Sequence, residues 1–139
     1  MGDLYIVSTP IGNLKDITFR AVETLEEVDL IFSEDTRITK KLLNHLGINR
    51  RIQSLNEHNE IKKTPKILQQ LSQGKSVALI SDAGTPLISD PGYCLVKQAR
   101  ENLFNIIPIP GCCAAIAALS VSGIATDKFY FHGFLPSSE

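Results

Sequence analysis

The sequence has no tryptophan, three cysteines, three histidines and no excess of one charge, since its formal net charge is −1 over 139 residues. A nearly neutral chain has no overall field that attracts a polyanion, so any contact with nucleic acid must come from a local patch. Three cysteines without a framework spacing exclude a disulfide scaffold and favour a reducing, cytoplasmic location. The cysteines and histidines also lack zinc-ligand spacing, so no metal site is predicted.

Long apolar runs are also missing, so the sequence predicts no segment that crosses a membrane. The sequence begins Met1-Gly2-Asp3 and its first apolar segment starts at Leu4, so no signal peptide is expected. No Gly-Lys-Ser/Thr phosphate loop is present, and residues 9–13 carry one glycine where a dinucleotide fingerprint needs three. Hydrophobic residues nevertheless make up 43% of the chain, which suits a globular domain with its own core.

Short apolar segments alternate with longer segments of helical periodicity along most of the chain. The predicted strands are residues 4–8, 28–32, 52–55, 76–80 and 105–109. We expect Asp16 to cap the first helix, Ile61 to lie on the buried face of the third, and Gly47 to end the second. This alternation predicts an α/β fold with three αβα layers, in which helices cover both faces of a five-stranded, mostly parallel sheet.

The most restricted loop of the sequence is residues 81–92, which follow the fourth predicted strand. Pro86 and Pro91 fix φ, and Gly84 permits a positive φ or the close approach of a ligand to the backbone. Polar loops follow the other strands as well, at residues 9–13, 34–37, 56–60 and 110–111, and the first and last of these carry glycine and proline.

All five loops fall on the carboxyl edge of a parallel sheet, where open α/β sheets bind ligands. They predict a broad cleft of backbone groups that suits a ligand with an adenosine-like or amino-acid-like body. The alternative for residues 81–92 is an ordinary strand-to-helix turn. No nucleophile is visible, so transfer by positioning is favoured over covalent catalysis.

Five motifs resemble those of one protein family, the tetrapyrrole-methylase-like (class III) S-adenosylmethionine methyltransferases. They are residues 8–18, 34–37, 81–92, 108–111 and 133–136, and the resemblance runs from Leu4 to Pro136. Within the family, the sequence is similar to the group that 2′-O-methylates a cytidine of 16S rRNA. Residues 82–86 read Asp-Ala-Gly-Thr-Pro, the form of that ribosomal group, where the wider family has a Gly-Asp-Pro loop.

The resemblance implies a homodimeric enzyme of two domains that holds S-adenosyl-L-methionine between them and acts on 16S rRNA in the small ribosomal subunit. Residues 1–132 match the amino-terminal, cofactor-binding domain, and residues 133–139 are expected to begin a linker to a second domain. We therefore expect this chain to be a truncated half that binds cofactor weakly and is inactive alone. The alternatives are methylation of a tetrapyrrole or another small molecule, and a nucleotide-binding module without catalysis.

The resemblance also implies roles for particular residues. The expected cofactor contacts are Pro10, Gly12, Asp82, Ala83, Gly84, Thr85, Pro86, Pro110 and Gly111. The implied reaction is attack of a ribose 2′-hydroxyl on the sulfonium methyl. The candidates for accepting the hydroxyl proton are Asp16, Asp35, Glu57 and His58, and each of them could cap a helix instead.

The expected substrate contacts are Glu34, Arg37, Lys62 and Lys63. Arg37 could instead form an ion pair with Glu34 or Asp35, and the lysines could belong to a solvated face. The aromatic segment 129–134 is interpreted as the start of the connection to the second domain, the alternative being a tail that packs on this one.

Overall fold

The structure is a computed structural model that describes residues 1–137; Ser138 and Glu139, which belong to the expected start of the linker, lie outside the described residues. The strands are β1 (Leu4–Val7), β2 (Leu30–Ser33), β3 (Arg51–Ser54), β4 (Val77–Ile80) and β5 (Ile106–Ile109). The helices are α1 (Phe19–Glu27), α2 (Thr36–Leu46), α3 (Glu60–Ser72), α4 (Tyr93–Glu101) and α5 (Ala114–Ser120), with a 3₁₀ turn at Leu14–Asp16. All strands pair in parallel in the order β3-β2-β4-β1-β5, which confirms the predicted parallel α/β sheet.

The strand order explains why helices cover both faces of the sheet. The chain moves one way across the sheet from β1 through β2 to β3, and the other way from β3 through β4 to β5. Because parallel crossovers are right-handed, α1 and α2 lie on one face and α3 and α4 on the other. Leu25 and Leu43 form the core on the first face, and Ile67, Leu71 and Leu95 form the core on the second.

Two helix starts illustrate how local chemistry sets the elements. The hydroxyl of Thr18 accepts a hydrogen bond from the Ala21 amide, so Thr18 caps α1 and the prediction of Asp16 as its cap was wrong. Asp16 instead ends the 3₁₀ turn, and the extended backbone of Ile17 separates that turn from α1. Gly47 ends α2, as predicted, and its φ of 71° is the left-handed conformation that glycine adopts without strain.

The buried stripe of α3 differs from the predicted one. Its buried side chains are Glu60, Thr64, Ile67 and Leu71, whereas Ile61 is 77% exposed, so its expected inward position was wrong. Ile61 lies one residue, or about 100° of helix rotation, from the buried Glu60. Glu60 is held inward because its carboxylate accepts a hydrogen bond from the Leu95 amide in the first turn of α4.

The chain after β5 packs loosely. Helix α5 contains no buried residue, and Phe129, Tyr130, Phe131 and Phe134 are all more than half exposed. Phe131 and Phe134 still line a cavity beside the loop that follows β4. Within residues 1–137, no helix combines the length and the apolar character that a membrane span requires.

Candidate functional site

The loops after β1 and β4 meet at the carboxyl edge because β1 and β4 are neighbours in the sheet. Two backbone hydrogen bonds join them, from the Thr9 amide to the Gly84 carbonyl (3.0 Å) and from the Gly84 amide to the Thr9 carbonyl (3.1 Å). The chain leaves β1 toward the face of α1 and leaves β4 toward the face of α4. This is the switch point where a crevice opens in such sheets.

The hydroxyl of Thr85 ties three loops together. It donates to the Cys112 carbonyl at 2.9 Å and lies 2.9 Å from the Ser8 hydroxyl. Since a threonine hydroxyl has one hydrogen, the Ser8 hydroxyl must donate to Thr85. The loops after β1, β4 and β5 are therefore fixed relative to one another by one side chain.

The loop after β4 is held in an unusual backbone conformation. Gly84 has a φ of 83°, and two non-glycine residues, Leu87 and Ser89, have φ values of 72° and 59°. A non-glycine residue in this left-handed conformation costs about 1–3 kcal/mol, and such residues concentrate at ligand-binding and active sites. The loop keeps its shape because the Ser81 hydroxyl donates to the Gly84 carbonyl and Leu87 packs against the core.

Gly111 sets the spacing between the loops after β1 and β5. A Cβ atom at this position would lie 2.8 Å from the Cβ of Ser8, closer than two carbon atoms can approach. Gly111 and its neighbour Pro110 are both exposed at the carboxyl edge. The predicted cofactor contact Gly111 therefore has a packing role of its own.

Six of the nine predicted cofactor residues divide between two cavities, and Pro86, Pro110 and Gly111 line neither. The first, which we call the α2 slot, has a volume of about 260 Å³ and contains Pro10, Gly12 and Asp82 in its wall. The second, the α5 cavity, has a volume of about 350 Å³, and Ala83, Gly84 and Thr85 contribute to its wall. Pro86 is buried. The Thr9–Gly84 bridge runs between the cavities, since Thr9 lines the slot and Gly84 lines the α5 cavity.

Carboxylates gather beside the slot in an acidic basin lined by Glu34, Asp35, Glu57 and Asp82, together with Thr36, Arg37, Asn56 and His58. Burial raises the pKa of Glu34, and the charges of Asp82 and Asp90 raise it further. Burial and the charge of Asp82 likewise raise the pKa of Asp90. Among residues 1–137, no three His, Cys, Asp or Glu side chains are arranged to hold a metal ion.

The expected catalytic residues differ in how they are engaged. Asp35 accepts two hydrogen bonds from the Arg37 guanidinium, at 3.1 and 2.7 Å, and one from the Arg37 amide. These bonds lower the pKa of Asp35 to about 2, which makes it a poor proton acceptor. Arg37 therefore forms the ion pair that was the alternative to a substrate contact.

The other candidates lie at the surface. Glu57 and His58 are at the rim of the acidic basin, where Glu57 Oε1 lies 3.8 Å from His58 Nε2. Their side chains are 80% and 86% exposed, respectively. Asp16 is also exposed, and its carbonyl accepts a hydrogen bond from the Cys112 thiol. Neither Asp16 nor the Glu57–His58 pair has the partly buried surroundings that tune a general base.

The two lysines predicted to meet RNA are not equivalent. The ammonium of Lys63 donates to the carbonyl and the hydroxyl of Ser54 at the end of β3, so it braces the fold. Lys62 is exposed. A basic groove of about 360 Å³ lies instead between α2 and β3, where Arg37, Lys40 and Arg50 line it.

The sequence interpretation missed several residues that the structure brings to the edge. Asp90 lies within the restricted loop and lines the α5 cavity, and Ile38 and Lys41 line the slot. The spacing of Ile38, Lys41 and Leu42 along one side of a helix is a signal that could have indicated a lining face.

A profile of the family described as Tetrapyrrole (Corrin/Porphyrin) Methylases matches residues 3–135. Two curated proteins, both named ribosomal RNA small subunit methyltransferase I, are similar to this chain: that of Haemophilus influenzae is 58% identical and that of Escherichia coli O157:H7 is 57% identical, each over 136 residues. Each match covers 98% of this chain and 48% of the relative, so the chain spans about half the length of the curated relatives it matches.

Two solved structures share the architecture. Uroporphyrin-III-C-methyltransferase from Thermus thermophilus matches with a TM-score of 0.69 and 21% identity, covering 89% of this chain and 54% of that one. A diphthine synthase matches with a TM-score of 0.70 and 17% identity, covering 89% and 50%. At these identities the likeness shows the fold alone.

Proposed function

The chain belongs to the tetrapyrrole (corrin/porphyrin) methylase family, and from this premise we propose that it is the cofactor-binding part of an S-adenosyl-L-methionine-dependent methyltransferase. Its substrate is the ribose 2′-hydroxyl of a cytidine in the 16S rRNA of the small ribosomal subunit. The observation that carries this proposal is the 58% and 57% identity to two ribosomal RNA small subunit methyltransferases over nearly the whole chain.

In this proposal residues 1–132 form the cofactor-binding domain and residues 133–139 begin the linker to a second domain. The exposed aromatic side chains of Phe129, Tyr130 and Phe134 support it, because a domain boundary leaves apolar surface for the next domain to cover. The full-length protein is a cytoplasmic homodimer in this proposal. This part of the proposal rests on the family resemblance.

The α5 cavity suits S-adenosyl-L-methionine. Ile11 and Ile88 give it aliphatic walls for the flat faces of an adenine ring, and Phe131 adds an aromatic face. The carboxylate of Asp90 and the aromatic ring both attract a sulfonium cation. When bound, the cofactor supplies an activated methyl group. The protein positions the cofactor, because the hydroxyl of Thr85 fixes the loop after β4 before any ligand binds.

A 2′-hydroxyl also needs a group that accepts its proton. We favour Glu34 for this task because it is partly buried and lines the acidic basin, and burial and neighbouring charges raise its pKa. Asp35, with a pKa of about 2, is far less basic. Glu34 was expected to bind substrate. In this proposal the same carboxylate both contacts the substrate and accepts the proton of its 2′-hydroxyl.

The test is methyl transfer by the full-length protein to unmodified small ribosomal subunits. We expect mass spectrometry of the digested RNA to find the new methyl group on a cytidine ribose. An Ile88→Trp variant should lose cofactor affinity because the new ring fills the α5 cavity, while Ile61→Trp on the exposed side of α3 should retain it. A methyl group found on a base, or transfer only to a tetrapyrrole, would refute the proposed substrate.

A further inference from the structure

Two cavities flank the Thr9–Gly84 bridge, and one cofactor fills one of them. The α2 slot, at about 260 Å³, is smaller than the range of roughly 300–1,000 Å³ that is usual for drug-sized ligands. The α5 cavity, at about 350 Å³, falls within that range. The slot is therefore better matched to a smaller ligand than adenosine joined to methionine.

The walls of the slot are those of a site for a flat ring. Leu14 from the 3₁₀ turn and Ile38 and Leu42 from α2 line it with aliphatic side chains. Ile38 is 43% exposed and Leu14 is 44% exposed, so apolar surface is open to a ligand at the mouth. Aliphatic side chains from two different elements suit the faces of a nucleobase and do not distinguish one base edge from another.

The polar groups of the slot determine which nucleobase it accepts. Asp82 accepts a hydrogen bond from the Asp35 amide with one carboxylate oxygen, and its second oxygen is a further acceptor. Asn13 and Lys41, which also line the slot, bring side-chain N–H donors. An acceptor and two donors in the lining of one cavity complement a ring edge that carries an amino group beside acceptor atoms, which is the pattern of cytosine.

An adjoining face of α2 carries charge that complements a phosphate backbone. Lys40, and Arg50 from the segment before β3, line the basic groove together with Arg37, whose guanidinium is also paired with Asp35. Ile38 and Lys41, each the next residue along the helix, line the slot. One helix therefore borders both a base-sized slot and a cationic groove, as a nucleotide and its neighbouring phosphates require.

We propose that the α2 slot receives the target pyrimidine of single-stranded RNA, turned out of its stack, while the basic groove holds adjacent phosphates. A stacked and paired base cannot enter a cavity, so the nucleotide must be extruded or already unpaired. This assignment rests on the proposed function and deepens it by placing substrate and cofactor on opposite sides of the Thr9–Gly84 bridge. It also makes Asp82 a specificity-determining residue.

The first test uses methyl NMR on full-length protein with labelled Ile and Leu side chains. The probes are S-adenosyl-L-methionine and a single-stranded RNA pentanucleotide with a central cytidine. We expect the RNA to shift the signals of Leu14, Ile38 and Leu42, and the cofactor to shift those of Ile11 and Ile88. Absence of RNA-induced shifts at the slot would overturn the assignment, whether or not the cofactor binds, and so would cofactor-induced shifts confined to the slot.

The second test fills the slot. Ile38→Trp should reduce affinity for the pentanucleotide about tenfold or more, because the indole occupies the volume that the base would fill and one base is no longer buried, and it should leave cofactor affinity unchanged. Ile61→Trp is the matched control, since Ile61 is exposed on α3 and outside the slot. Unchanged RNA affinity in folded Ile38→Trp protein would contradict the assignment. Failure of the proposed function would be recognised separately, as a parent protein that does not bind the cofactor.

Discussion

Replacing Thr85 by valine tests whether one hydroxyl holds the carboxyl-edge loops together. Valine keeps the shape of threonine and removes the hydrogen bonds to Ser8 and to the Cys112 carbonyl, both 2.9 Å long. Both bonds are partly buried. A typical hydrogen bond contributes about 1 kcal/mol, and a buried group left without a partner costs about 1–3 kcal/mol. Water reaches part of this site, so we expect a loss of about 1–2 kcal/mol in the free energy of unfolding.

Urea unfolding followed by circular dichroism measures this loss as a shift in midpoint at constant slope. Thr85→Ser should restore most of the stability, because serine retains the hydroxyl. Thr126→Val applies the same change at an exposed residue and should alter the free energy of unfolding by less than about 0.5 kcal/mol. If Thr85→Val and Thr126→Val unfolded at the same urea concentration as the parent, the three-loop linkage would not stabilise the fold.

Two further predictions concern the titration of the acidic basin, read by carboxyl ¹³C NMR. Arg37→Ala should raise the pKa of Asp35 from about 2 toward its ordinary 3.8. The stabilisation that Asp35 provides in the parent is complete above 3.8 and disappears as pH falls toward 2, so the variant should be less stable than the parent above pH 3.8, and this difference should shrink as pH falls toward 2. Asp82→Asn should lower the pKa values of Glu34 and Asp90, since the charge of Asp82 raises both. Because a carboxylate with a raised pKa destabilises the folded state above that pKa, the variant should gain stability near neutral pH. Unchanged pKa values of Glu34 and Asp90 in the variant would refute the coupling.

The alternation of apolar segments predicts the fold class because a parallel strand buried on both faces needs a continuous apolar run. All four residues of β2 and of β4 are buried, as this rule requires. The order β3-β2-β4-β1-β5 could not be predicted, since the register of Leu4 against Val77 depends on contacts between distant segments. Local patterns carry no information about which strands become neighbours.

The errors also have long-range causes. Ile61 is exposed because its neighbour Glu60 turns inward to hold the first turn of α4, a contact between helices that the periodicity of α3 does not reveal. The loops of the site were correctly expected at one edge of the sheet. Their division into two cavities depends on the pairing of Thr9 with Gly84, which are far apart in the sequence.

The most direct test of the central claim is calorimetric titration of the full-length protein with S-adenosyl-L-methionine and, separately, with ATP. Both ligands contain adenosine, so the comparison isolates recognition of the sulfonium and amino-acid part from general nucleotide binding. We predict saturable binding of S-adenosyl-L-methionine that Ile88→Trp abolishes and Ile61→Trp retains, with no comparable binding of ATP. Equal binding of both ligands, or binding of S-adenosyl-L-methionine that Ile88→Trp leaves intact, would contradict a methyl-donor site in the α5 cavity.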